Sequence, residues 1–230
     1  MASPVSPLKL AFSALYLLLW PTLLLWLGGD WRWREGWIFD LWFVAMCTST
    51  MVWLYVKNPA LFAERFRKPG SGGQSRRDQV IVYLLGVGFM GWIALMPLDA
   101  RRFHWTPRLP LPVELAGGLL LLVAWLFFMR AFTDNTFLSP LVRIQNERQQ
   151  HVVSTGVYAI VRHPMYFGAS CMFVGGPLFV GSFAGLALGV ALSLLLAARS
   201  VDEEALLVRE LAGYDDYRRK VKKRLIPFIW

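Results

Sequence analysis

The chain has 230 residues, 56% of them hydrophobic and only 17% charged, with 11 Trp, 16 Phe, a mean hydropathy of +0.45 and a net charge of +9. Soluble domains run nearer ~45–50% apolar and ~25% charged, so too few polar residues are present to cover a water-facing surface. A soluble enzyme, a disordered tail and a disulfide scaffold are excluded, and Cys47 and Cys171, both inside apolar runs, read as reduced packing residues. The basic residues sit at the edges of apolar stretches, so lipid headgroups and membrane orientation account for the charge and no nucleic-acid partner is expected. The chain reads as an all-α integral membrane protein.

A helix needs about 20 apolar residues to cross the hydrocarbon core. The first such stretch, 8–28, is too long and too aromatic for a signal peptide and runs into Gly28-Gly29-Asp30-Trp31, without a small-residue cleavage pattern. It is expected to be an uncleaved span kinked at Pro21. The second, 36–57, carries Asp40 and a Thr48-Ser49-Thr50 patch expected to face other helices. The third, 79–98, contains Gly86, Gly88 and Gly91, which match a dinucleotide fingerprint in spacing alone. No strand precedes them, so they read as helix-packing positions. The fourth span is 113–132, and residues 1–132 thus form a unit of four long transmembrane helices.

Residues 133–230 have a different character. The apolar run 165–198 is 34 residues long and would extend ~51 Å as one helix, against a core of ~30 Å. Gly175-Gly176-Pro177 and Gly181-Ser182 interrupt it, which predicts two shorter helices folded back as a hairpin. Gly181, Gly185 and Gly189 are expected to form a small-residue ridge along it.

The N-terminus, the 57–78 loop, the 130–165 segment and the tail from 199 hold nineteen of the 24 basic residues; Arg32, Arg34, Arg101, Arg102 and Arg108 fall on the other side. The positive-inside rule puts the richer side in the cytoplasm, so the hairpin is entered from there and flanked by two polar stretches. In the first, Asn135, Gln145, Asn146 and Gln150 supply amides, Gly156 permits a tight turn, and Tyr158 and Tyr166 bracket Arg162-His163-Pro164. On composition alone this could be an interfacial anchor with a solvated His. In the second, Arg199 and Glu203 stand four apart, as an exposed helix pair would. Asp202, Glu203 and Glu204 nevertheless cluster at an anionic surface and need a cationic partner. The basic run from Arg218 to Arg224 is expected to lie on anionic lipid. His104, His151 and His163 are scattered and no metal-ligand spacing occurs, so no metal site is expected.

The order Gln145-Asn-Glu, Ser154-Thr-Gly156-Val-Tyr158, Arg162-His163-Pro164-Met-Tyr166, an apolar hairpin, Glu203-Glu204, then Tyr214, Tyr217, Arg224 and Pro227 resembles the isoprenylcysteine carboxyl methyltransferase family. The wider group of membrane methyltransferases, phospholipid N-methyltransferases included, shares part of this pattern. The resemblance covers roughly residues 133–230. It implies a cofactor, S-adenosyl-L-methionine, held by the cytoplasmic C-terminal region. Carried over by position, it implies cofactor contacts at Gln145, Gln150, His151, Val152, Val153, Tyr158, His163, Pro164, Met165 and Tyr166, and at Glu203 or Glu204. It further implies that Arg199 meets a substrate carboxylate, with His163 the other catalytic candidate.

The expected reaction is therefore methylation of a carboxylate on a lipophilic, isoprenylcysteine-like substrate, with membrane lipids as surroundings and no obligate protein partner evident. A carboxylate is already ionised near neutral pH and needs no general base, so catalysis rests on positioning and on water exclusion. Methylation of a small thiol, an amine or a phospholipid is the enzymatic alternative, and a thiol would need His163 or a tyrosine as base. A nicotinamide-dependent sterol-type reductase and a non-enzymatic membrane scaffold are the readings from other classes.

Overall fold

The computed structural model describes residues 19–230, and the regular elements among them are all helices, with no strand. Residues 8–18 of the expected 8–28 span fall outside it; the remainder, with Pro21, lies in α1, Leu19–Gly28. The long helices that follow are α2 (Arg34–Lys57), α4 (Arg76–Pro97) and α5 (Leu111–Asp134), and a single π-helical turn, Leu98–Phe103, extends α4. Short α3 (Pro59–Glu64) follows α2; the hairpin is α6 (Pro164–Val180) and α7 (Phe183–Glu210), and α8 (Tyr214–Lys220) closes the order.

Sequence sets these boundaries locally. Asn58 caps α3, its side chain accepting from Leu61 N at 3.1 Å, with Pro59 in the first turn. Ser75 caps α4 by accepting from Asp78 N at 3.1 Å, and Ser182 caps α7 by accepting from Gly185 N at 2.9 Å. Gly181 turns α6 into α7 at φ +84°, a conformation that side chains resist.

Four helices are long and apolar enough to cross a membrane: α2, α4 with its π-turn, α5 and α7. Leu115, Leu119, Leu122 and Leu126 form one stripe on α5, each more than half exposed. In water such a stripe would be costly, whereas lipid accepts it. The chain is an integral membrane protein.

The hairpin differs from expectation in one respect. Its arms are unequal, 17 and 28 residues, so α7 alone reaches ~42 Å, enough to cross. Gly175-Gly176-Pro177 does not break α6, because α5 and α7 press against that stretch. A Cβ on Gly117 of α5 would strike the Gly175 carbonyl oxygen of α6, and one on Gly189 of α7 would strike the Phe173 carbonyl. The expected glycine ridge is thus Gly185 and Gly189, while Gly181 belongs to the turn. Gly88 and Gly91 lie against Leu192 and Leu188 of α7, as packing positions should, whereas Gly86 faces open space. In α2, Asp40 and Thr50 are buried, but Thr48 is exposed.

At the hairpin tip, buried Asp99 accepts from Thr106 N (2.8 Å), Thr106 Oγ1 (2.8 Å), Ser182 Oγ (2.6 Å) and Ala184 N (2.9 Å). The tip therefore meets the α4–α5 connection, on the face opposite the 57–78 loop. On that other face the polar segments converge: Glu64 with Arg143, Asp78 with Arg199, Arg77 with Asp202 and Glu204 with Arg162.

Candidate functional site

Where these segments converge, their side chains line an open cleft. Leu138 to Val142 and Gln150 to Val153 form one side, the start of α6 forms the floor, and the last turns of α7 with α8 form the other side. The two loop segments are pinned from below. Gln145 is fully buried, its Nε2 donating to the Phe137 carbonyl at 2.5 Å and its Oε1 accepting from Arg148 at 2.8 Å. Gln150 Oε1 in turn accepts from Gln145 N at 2.7 Å, and the His151 ring stands edge-on to Phe137 at 4.9 Å.

Gly156 makes the next turn at φ +61°, where a side chain would collide with the Asp134 carboxylate. That carboxylate accepts from Val157 N at 2.9 Å and delivers Tyr158 into the cleft wall. Tyr217 of α8 donates to the Tyr158 carbonyl at 2.7 Å. His163 precedes α6 outside the helical region, which Pro164 disfavours, at φ −121° and ψ 64°, and its backbone N donates to the Arg224 carbonyl at 2.9 Å. The Arg162 N likewise donates to the Lys223 carbonyl at 3.0 Å. The basic tail is therefore partly stitched into the fold, with Leu225 buried, rather than laid wholly on a surface.

The electrostatics divide the two adjacent acids. Glu204 is 2% exposed and lies behind the cleft. It accepts from Arg162 Nε (2.6 Å) and Nη2 (3.1 Å) and from Arg224 Nε (3.0 Å), with His163 Nε2 at 3.2 Å. Glu203 lines the cleft, accepts from Tyr166 Oη at 2.7 Å and stands 3.7 Å from His163 Nδ1. The His163 ring stacks on Tyr166 with centroids 5.3 Å apart. His163, Tyr158 and Tyr166 are all buried, so the anchor with a solvated imidazole is not what forms.

Arg199 is buried and does not pair with Glu203. Its Nε donates to Asp78 Oδ1 at 2.7 Å, its Nη2 to the Pro140 carbonyl at 2.8 Å, and its guanidinium sits 5.7 Å from the Tyr166 ring centroid. The one-turn spacing gave way because a desolvated arginine gains more from a carboxylate in equally dry surroundings than from a half-exposed one.

Of the expected cofactor contacts, Gln150, His151, Val152, Val153, Tyr158, His163, Pro164, Met165, Tyr166 and Glu203 line one cleft. Gln145, Glu204 and Arg199 do not. Gln145 is turned into the loop it braces, Glu204 is enclosed by guanidinium groups, and Arg199 stands behind Tyr166. Phe137, Ser139, Leu206, Leu207 and Leu211 complete the lining together with Tyr214 and Tyr217. Burial pushes the phenol pKa values of Tyr158 and Tyr214 well above their ordinary value. Among the described residues no group of three or more His, Cys, Asp or Glu could hold a metal ion.

A polar cleft set into the end of a transmembrane helix bundle, flanked by a helical hairpin, is the architecture that meets the comparisons with known proteins. Residues 113–212 match the phospholipid methyltransferase family. The protein-S-isoprenylcysteine O-methyltransferase of Schizosaccharomyces pombe is 33% identical over 93 residues, which cover 40% of this chain and 39% of that protein. The chain is thus similar to membrane methyltransferases over its C-terminal part, and the match spans well under half of the curated relative's length.

Proposed function

We propose that the protein is an S-adenosyl-L-methionine-dependent membrane methyltransferase acting on a carboxylate of a lipophilic, isoprenylcysteine-like substrate at the cytoplasmic face. The observation that carries this reading is the cleft itself: ten residues drawn from three separate segments line it, with Glu203 as its acid. When bound, the cofactor supplies an electrophilic methyl group. Its ammonium and sulfonium call for an anion, its adenine for amides and apolar flanks, and its carboxylate for hydrogen-bond donors. Glu203, Gln150, the His151–Val153 segment and the walls made by Tyr158, Leu207 and Tyr214 offer that set. His163 and Tyr166 hold Glu203 in place from below.

The acceptor assignment is supported by the acceptor's own chemistry and by the relative's name. A thiol or an ammonium must lose a proton before attack, and burial pushes Tyr158 and Tyr214 away from serving as bases. A carboxylate needs no such help. The relative's name points to the same acceptor class. The distribution of basic residues supports a cytoplasmic cleft, and a lipophilic acceptor reaches it from the bilayer side of the bundle.

The test uses the protein in nanodiscs. Calorimetric titration with S-adenosylhomocysteine should give saturable binding, while a nicotinamide dinucleotide should neither bind nor raise the melting temperature. With labelled cofactor and an N-acylated S-prenylcysteine, label should enter a base-labile ester. Label on an amine of a phospholipid or on a thiol would sink the carboxylate assignment, and no homocysteine adduct binding would sink the whole reading.

A further inference from the structure

Resting on that reading, we propose that Arg65 is the receptor for the acceptor's carboxylate, a site beside the cleft rather than within its lining. Arg65 ends α3 and turns inward, its guanidinium carbon 5.1 Å from the centroid of the Phe132 ring. Its Nη1 is sealed from solvent and makes no hydrogen bond to any described residue. The buried guanidinium groups on this face are matched, unlike that of half-buried Arg65: Arg143 by Glu64 and Glu147, Arg162 by Glu204, and Arg199 by Asp78. The adjacent acid, Glu64, is spent on Arg67, Arg143 and Ser139.

A buried cation without a counter-charge is costly, and an anion removes that cost. Burial lowers the Arg65 pKa to about 10, and the nearby Arg199 charge pushes in the same direction. A guanidinium fork matches the two oxygens of a carboxylate. The surroundings fix the rest of the ligand's character. Phe132 belongs to an apolar cluster with Leu54, Leu61 and Phe62, against which Leu138 and Met165 pack. Leu138 and Met165 also line the cleft, so this apolar cluster adjoins it. An acid carried on a lipophilic body would thus present its charge to Arg65, its apolar part to this cluster and its reacting oxygen toward the cleft.

The experiment compares an N-acylated S-prenylcysteine acid with its carboxamide, by binding to the full chain in phosphatidylcholine nanodiscs, with and without S-adenosylhomocysteine. Wild type should prefer the acid by about tenfold or more, the scale of a hydrogen bond to a charged group. Arg65→Met should reduce that preference to about twofold or less, leaving homocysteine-adduct affinity and melting temperature unchanged. Arg65→Lys, which keeps charge but not the fork, should be intermediate and covers the case in which the methionine variant does not fold. A wild type without acid preference, or an Arg65→Met variant that retains it, overturns the proposal. So does loss of the preference when anionic phospholipid replaces phosphatidylcholine, since an anionic lipid headgroup would then be the occupant. Because the ratio is also read without the homocysteine adduct, failure of the cofactor reading is seen separately.

Discussion

Asp78, in the first turn of α4, and Arg199, just past the middle of α7, lie 121 positions apart and meet at 2.7 Å with both side chains almost fully buried. This pair fastens the second arm of the hairpin to the third long helix on the face that carries the cleft. Gln74 Nε2 donates to the same carboxylate at 2.6 Å, and so does Val142 N at 3.2 Å, which brings the cleft loop into the arrangement. Breaking a buried pair from one side leaves a stranded charge and costs about 3–5 kcal/mol, whereas removing both sides costs less. Asp78→Leu and Arg199→Leu alone should each lower thermal stability strongly, and the double variant should recover part of the loss. Additive losses in unfolding measurements would refute the coupling.

The neighbouring acids Glu203 and Glu204 should respond in opposite ways to the same change. Glu204→Gln leaves Arg162 and Arg224 without their shared counter-charge and is expected to cost about 3 kcal/mol or more of stability. Glu203→Gln keeps a partner for Tyr166 and should leave the melting temperature nearly unchanged while weakening S-adenosylhomocysteine binding about tenfold or more. Parallel calorimetry and thermal melts on the two variants decide it; equal binding losses at equal stability would contradict the division.

Two cleft tyrosines should likewise separate. Tyr217 donates to the Tyr158 carbonyl at 2.7 Å, both groups being buried, so Tyr217→Phe strands an acceptor and should cost about 1–3 kcal/mol. Tyr158 Oη lies 3.4 Å from its acceptor, the Ala131 carbonyl, a long contact for a hydroxyl donor. Tyr158→Phe should therefore cost under about 1 kcal/mol.

Alkaline stability follows from the same phenols. Burial raises the pKa of Tyr158, Tyr214 and Tyr217 in the folded protein, while the unfolded chain releases those protons near pH ~10. The folded state then holds more protons than the unfolded one, so stability is intact below that pH and falls above it. Unfolding midpoints between pH ~9 and pH ~11 should drop for wild type and drop less for a variant with Phe at all three positions. An unchanged slope would show that these phenols are not what titrates.

The long helices were readable because each is a run of apolar residues with a capping residue or proline at its edge, and the hairpin because Gly181-Ser182 can only turn. The linear pieces of the cleft, Gln150 to Val153, Tyr158 and His163 to Tyr166, were named through the family resemblance, since on composition alone they read as an interfacial anchor. What escaped were partnerships made across space. Nothing in the spacing tells Arg199 to choose Asp78 over Glu203, and nothing separates Glu203 from Glu204 until the 100° step of the helix sends one toward Tyr166 and the other toward Arg162. Asp78 and Glu64 did carry a signal, being acids at the edge of apolar stretches, where an uncompensated charge is not tolerated.

The far end of the hairpin bears on how this molecule can move. Asp99 grips the turn through four donors, two of them from the hairpin itself and two from Thr106. A tip so fastened acts as a fixed pivot, and the arms α6 and α7 cannot swing away from α5 like a hinged flap. Breathing that admits or releases a small molecule is left to the ribbon between α5 and α6, whose backbone is tethered mainly by side chains such as Gln145 and Asp134. Hydrogen exchange should accordingly be fastest along that ribbon and slowest at Ser182 and its neighbours.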